Sequence, residues 1–204
     1  MSETALIVID VQNDFLPGGA LAVSDGDAVV PVVNALQERY TLRVLTQDWH
    51  PARHMSFADN RPGGVPFSTV AVPYGPQTLW PRHCVQGTHG AAFPVSLRQD
   101  ADLIIRKGFR PEIDSYSAFF ENDRKTPTGL AGYLRERGAR DLVFCGLATD
   151  FCVKFSALDA ARLGFSVTVV EEACRGIDLE GSLAAGWAEM AAAGVRRRRM
   201  SEMA

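Results

Sequence analysis

The sequence predicts an α/β protein: a doubly wound parallel sheet with helices on both faces. Three observations carry that prediction. Apolar runs of strand length recur at 5–9, 42–46, 103–105, 142–145 and 167–170, with 195–200 as a sixth candidate. Stretches of helical spacing stand between them, and alternating strands and helices close into parallel sheets. No repeat, linker or shift of composition divides the 204 residues, so they read as one domain, 1–204.

Taken in order, residues 5–9 are continuously apolar and end in Asp10, the mark of a central strand with an acid at its carboxyl end. The following VQNDFLPGGAL is rich in turn-formers and reads as a loop. Residues 27–39 place Val29, Val33 and Leu36 on one helical face. A second strand, 42–46, runs into Gln47-Asp48-Trp49-His50. From 51 to 94 the chain reads as one long loop, broken by Pro and Gly, and a loop of that length in a compact domain is usually functional.

The second half is more regular. The strand at 103–105 ends in Arg106-Lys107-Gly108, and 128–137 reads as a helix closed by Gly138. Residues 142–145 form a buried strand. Thr149 or Asp150 then caps a helix that continues over 153–163. After the strand 167–170 comes an alanine-rich helix, 183–193, closed by Gly194. Four arginines in 195–200 suit a solvated sheet edge, where charge discourages pairing with other chains.

Composition narrows the function. With 47% hydrophobic and 22% charged residues, the chain is an ordinary globular protein. A net charge of −3 gives no basic face for nucleic acid. No apolar run approaches membrane-spanning length and no basic segment precedes the first one, so no membrane is expected and the cytoplasm is the default. The four cysteines are widely spread and read as free thiols. Oligomeric state is left open, a homo-oligomer included.

In doubly wound folds the ligand sits beyond the carboxyl ends of the strands. Asp10, Asp48 with His50, and Lys107 fall at such ends, and Cys152 falls in the helix start after the fourth. There the helix dipole favours a thiolate over a thiol. A carboxylate, a lysine and a cysteine together supply a base, a cation and a nucleophile. Each has an innocent reading as a cap, a surface charge or a core thiol, but all share one rim. Separately, Asp48-x-His50 with His83 from the long loop offers a carboxylate and two imidazoles, a donor set for zinc, manganese or iron.

VIDVQNDFLPGGAL, TQDWHPARHMSFA, LWPRHCVQGTHGAAF, IIRKGF, DSYSAFF and GLATDFCV, in that order, resemble the nicotinamidases, cysteine hydrolases of the isochorismatase-like superfamily. The resemblance covers essentially the whole chain. It implies a six-stranded parallel sheet in a three-layer α/β/α arrangement, and hydrolysis of nicotinamide to nicotinate and ammonia, with pyrazinamide as a related substrate. It implies Asp10, Lys107 and Cys152 as the catalytic triad and the N–H groups of Ala148 and Cys152 as the oxyanion hole. A cis peptide is implied between Leu147 and Ala148. It implies Asp48, His50 and His83 as ligands of one divalent ion, zinc before manganese or iron, that selects the pyridine ring. Phe15, Trp80 and Tyr116 would flank that ring. His54 and His89 stay outside the ligand set, and Phe151 stands where some relatives carry histidine. Two alternatives remain: a carbamoyl or ureido hydrolase sharing the triad without the ion, and a non-catalytic binding module.

Overall fold

In the computed structural model, which describes residues 3–203, six strands form one parallel sheet in the order β5-β2-β1-β6-β7-β8. These are β1 (Glu3–Ile9), β2 (Leu42–Asp48), β5 (Leu103–Lys107), β6 (Ala139–Leu147), β7 (Ser166–Arg175) and β8 (Arg196–Arg198). The chain builds outward from β1 to β2 and β5, then returns to β6 and builds outward the other way. The order therefore reverses between β1 and β6, the switch point at which such sheets open a crevice.

The central strands are apolar throughout because both faces are covered. Leu6, Val8, Leu45, Val143 and Cys145 face one buried cluster, with Val29, Val30, Val33 and Leu36 of α1 (Val29–Gln37). Ala5, Ile7, Ile9, Val44, Leu142 and Phe144 face the other. That second layer is packed by α2 (Leu130–Glu136), α3 (Lys154–Arg162) and α4 (Ser182–Ala192). Alternate residues of one strand thus feed opposite cores, as the two-residue period of a strand requires. The α/β/α layering and the six parallel strands are as expected.

Three local expectations are corrected. The stretch 51–94 is not all loop: β3 (Thr69–Val72) and β4 (Gly75–Thr78) pair antiparallel as a small separate sheet. Their shortness hid them: β4 reads GPQT with no apolar pattern, and the four residues of β3, TVAV, include none that is buried. The helix start after β6 is capped by neither Thr149 nor Asp150. Residues Thr149–Val153 form a π turn with Ala148 at its N-cap and no side-chain cap. Asp150 instead turns its carboxylate to Ile177 N–H (3.0 Å), Asp178 N–H (2.8 Å) and the Ser182 hydroxyl. The helix expected over 27–39 begins with a short 3-10 turn, Gly26–Ala28, before α1. The arginines of β8 are exposed on the sheet edge, as their charge suggested.

Candidate active site

Lys107, Asp48 and Asp10 end three adjacent strands, and Cys152 lies in the turn after the fourth, β6. Asp48 and Lys107 are direct register partners across β2 and β5. All four side chains are buried, Lys107 and Asp10 completely. Lys107 Nζ stands 2.8 Å from Asp10 Oδ2 and 3.5 Å from Cys152 Sγ, bonds the Ser115 carbonyl at 3.0 Å and pairs with Asp48 Oδ1. One ammonium thus joins two carboxylates and a thiol.

The electrostatics separate the two acids. Burial raises Asp10 above the ordinary carboxylate range, against the pull of Lys107. Burial also works against a charged Asp48, but Lys107 and His50 outweigh it and hold that carboxyl well below the usual range. Two carboxylates pushed apart in this way divide into a base and a permanent anion. Desolvation opposes the Lys107 ammonium, yet Asp10 and Asp48 prevail and raise it well above an ordinary lysine. For Cys152 burial wins: the thiol is held well above its usual value, with Lys107 opposing. Burial thus opposes the thiolate that the helix start alone would favour.

Asp10 is held in an unusual conformation. Its backbone is left-handed (φ 46°), which turns the side chain off the strand end, an uncommon conformation that functional sites over-determine. Thr46, unnoticed in the sequence, fixes it from β2: the hydroxyl donates to Asp10 Oδ1 at 2.5 Å and accepts Asp10 N–H at 3.1 Å. Asp10 Oδ2 lies off the hydrogen-bonding direction of Lys107, which leaves it a lone pair for a proton.

Above these groups lies a small, mostly apolar cavity. Cys152, Ala148, Asp48, His50 and His83 line it, as do Phe15, Trp80 and Tyr116. The peptide between Leu147 and Ala148 is cis. Trp80 Nε1 donates to the Tyr116 hydroxyl at 3.1 Å, and Phe151 meets the Trp80 ring edge-on at 4.9 Å. Phe151 therefore forms part of an aromatic wall and gives the thiol an apolar neighbour. Leu21, Asp114 and Ile177 also line the cavity, and the sequence reading missed all three. Asp114 carried a signal, an acid beside Ser115 and Tyr116. Leu21 and Ile177 carried none, being ordinary apolar residues in turns.

The three expected ion ligands converge. Asp48 Oδ2 lies 3.5 Å from His50 Nε2 and 3.8 Å from His83 Nε2. His50 Nδ1 bonds the Gly108 carbonyl at 2.9 Å and His83 Nδ1 the Pro81 carbonyl at 2.7 Å. Each ring thereby donates from Nδ1 and presents Nε2 as a free lone pair, the arrangement that metal-binding imidazoles require. A β-carbon at Gly108 would strike the His50 ring, so close backbone approach sets this bond. Trp49 points away from the cluster and stacks under Arg106, 3.8 Å from its guanidinium carbon. The donor set fits a divalent ion such as zinc. His54 lies against His50, but Ser56 and the Ile113 carbonyl occupy its two nitrogens, and burial lowers it to about 4.

The isochorismatase domain matches residues 4–199. A nicotinamidase of Acinetobacter baylyi is 55% identical over 194 residues, covering 95% of this chain and 91% of that one. The chain belongs to the nicotinamidase family of isochorismatase-domain proteins. Among solved structures, the nicotinamidase and pyrazinamidase of Acinetobacter baumanii superposes with a TM-score of 0.98 at 53% identity, covering 99% and 98% of the two chains. An L. infantum protein of the family, solved in complex with nicotinate, gives 0.87 at 40% identity, over 100% and 96%. The pyrazinamidase of Pyrococcus horikoshii, in complex with zinc, gives 0.79 at 39% identity, over 97% and 99%.

Proposed function

We propose that this chain hydrolyses nicotinamide to nicotinate and ammonia through a thioester on Cys152, serving NAD salvage, and that it also deamidates pyrazinamide. The observation that carries the mechanism is Lys107 Nζ placed between Asp10 (2.8 Å) and Cys152 (3.5 Å) under an aromatic cavity.

Asp10 takes the thiol proton as Cys152 Sγ attacks the carboxamide carbon. Lys107 stabilises the sulfur and the carboxylate while the charge moves between them. The N–H groups of Ala148 and Cys152 bind the oxygen of the tetrahedral adduct. Asp10 returns the proton to the leaving nitrogen, the C–N bond breaks, and ammonia departs. It then deprotonates a water that attacks the thioester carbon, and the C–S bond breaks to release nicotinate and the thiol. Phe15, Trp80 and Tyr116 hold the ring and exclude bulk water. Asp48, His50 and His83 would hold a divalent ion, zinc before manganese or iron, which would supply Lewis acidity toward the pyridine ring.

The chain acts in this reading as one domain, 1–204. The cytoplasm fits it, since all four cysteines are unpaired, as in a reducing compartment. Among the described residues no helix is long and apolar enough to cross a membrane. The test is ammonia release over a panel of amides with the zinc-loaded protein. Nicotinamide and pyrazinamide should lead the panel. Preference for a carbamoyl or ureido substrate would overturn the assignment.

A further inference from the structure

Asp14 belongs to the short turn Asn13–Phe15 after β1 and is not among the residues that line the cavity. Asp14 Oδ2 accepts the Cys84 N–H at 2.7 Å and Oδ1 accepts the Ala20 N–H at 3.2 Å. Cys84 directly follows His83, and its backbone is left-handed (φ 45°), a conformation that a residue with a β-carbon keeps only where neighbours over-determine it. The Cys84 carbonyl accepts the His50 N–H at 3.0 Å, and the His50 carbonyl accepts the Gln86 N–H at 2.9 Å. The Cys84 backbone is therefore a clasp, held by Asp14 at its amide and by His50 at its carbonyl.

We propose that Asp14 is a positioning residue for the ion site, its carboxylate setting the place of His83 through the Cys84 amide. The inference rests on Asp48, His50 and His83 holding a divalent ion. The bond from His83 Nδ1 to Pro81 orients the ring but lies within the same turn, so it travels with the turn and does not locate it. The Asp14 carboxylate ties that turn to the loop leaving β1, beside the Asp10 end of the sheet. Its backbone links the same point to the cavity wall, the carbonyl accepting the Leu21 N–H at 2.9 Å and the amide donating to Gly90 O at 3.0 Å. Phe15, Leu21 and Ala91 are buried around it, so apolar packing keeps the loop in place when the carboxylate is removed. Gly90 provides an independent handle. A β-carbon there would overlap the Asp14 carboxylate, so Gly90→Ala should displace the carboxylate while leaving every polar group in the protein.

The experiment uses the full chain, stripped and reloaded with zinc, as wild type, Asp14→Ala, Asp14→Asn, Gly90→Ala and, as control, Gly132→Ala, where a methyl meets open space. Zinc affinity is read by competition with a chromophoric chelator, and ligand geometry by the visible spectrum of the cobalt form. Asp14→Ala and Gly90→Ala should each lose roughly tenfold to a hundredfold in zinc affinity, the range for partners that orient metal ligands. Asp14→Asn, which keeps an acceptor oxygen, should lose less, and Gly132→Ala should lose nothing. With saturating zinc, KM for nicotinamide should rise more than kcat falls, and alkylation of Cys152 by iodoacetamide should keep its wild-type rate. Unchanged zinc affinity in both Asp14→Ala and Gly90→Ala overturns the inference. So does a loss that only tracks melting of the zinc-free protein, because a general scaffold role would produce that. A wild-type chain that binds no zinc defeats the ion site itself, a separate and recognisable result.

Discussion

Lys107 illustrates how much of this site is decided by single side chains. A fully buried ammonium is costly unless paired, and here two carboxylates and a carbonyl surround it. Such a group acts with its partners, so losses within the triad should not add. Asp10→Asn, Lys107→Met and the double variant should each lower kcat by about the same factor, on the order of a thousandfold or more, measured as ammonia release. Losses that multiply would mean two independent devices. Cys152→Ala should abolish turnover with the fold retained, since no thioester can form, whereas Cys145→Ala should keep most activity. Cys145 is buried within β6, its thiol 3.9 Å from the Ile7 carbonyl and away from the Lys107 ammonium that Cys152 meets, a core group. Near-normal turnover by the Cys152 variant would end the covalent scheme.

At the scale of elements, the turn Thr149–Val153 does the aiming. It carries Cys152 and joins β6 to α3, and no side chain caps it. What holds it is Asp150, 1% exposed, whose carboxylate ties the turn to the segment leading into α4 through Ile177, Asp178 and Ser182. Removing that carboxylate leaves two amides and a hydroxyl without their charged acceptor. Asp150→Ala should therefore destabilise the protein by about 2–4 kcal/mol in urea unfolding, and lower kcat as well, because the turn loosens beside the nucleophile. A change below half a kcal/mol would show that the π turn is held by packing alone. The small hairpin of β3 and β4 plays a comparable part for the cavity wall. Buried Gln77 donates to Asp114 at 2.7 Å and to the Tyr116 hydroxyl at 3.1 Å. Gln77→Leu should raise KM for nicotinamide several-fold, as a wall residue and a buried carboxylate lose a donor. An unchanged KM would detach the hairpin from recognition.

For the whole molecule, stability and ion binding sit in different places. The two buried clusters lie on either face of the six-stranded sheet, and the proposed ion ligands Asp48, His50 and His83 gather at one rim of it. A structural zinc site is a folding nucleus whose loss unfolds its domain. Here chelation should leave thermal unfolding cooperative and shift the midpoint only by the lost binding energy, while nicotinamide turnover falls. His50→Ala and His83→Ala should lower zinc content and nicotinamide hydrolysis in parallel, as read by elemental analysis. Metal-free protein with full activity would remove the ion from the reaction.

The sequence by itself determined the layers, the positions of the six strands of the main sheet and the polar residues at its rim. Strand and helix periods are local properties, and Asp10, Asp48, Lys107 and Cys152 announce themselves as polar groups at the ends of apolar runs. It also carried the motif order that marks the family. What it could not show is who meets whom across the sheet. The register that seats Asp48 beside Lys107, the Thr46 bond to Asp10, and the Asp14 grip on Cys84 all join residues tens of positions apart. Nor could it show that burial works against the Cys152 thiolate. The helix start argues for a thiolate from local structure alone, but burial, which the fold decides, pushes the thiol the other way. Local geometry is written in neighbouring residues, whereas solvation and pairing depend on the parts of the chain that fold over them.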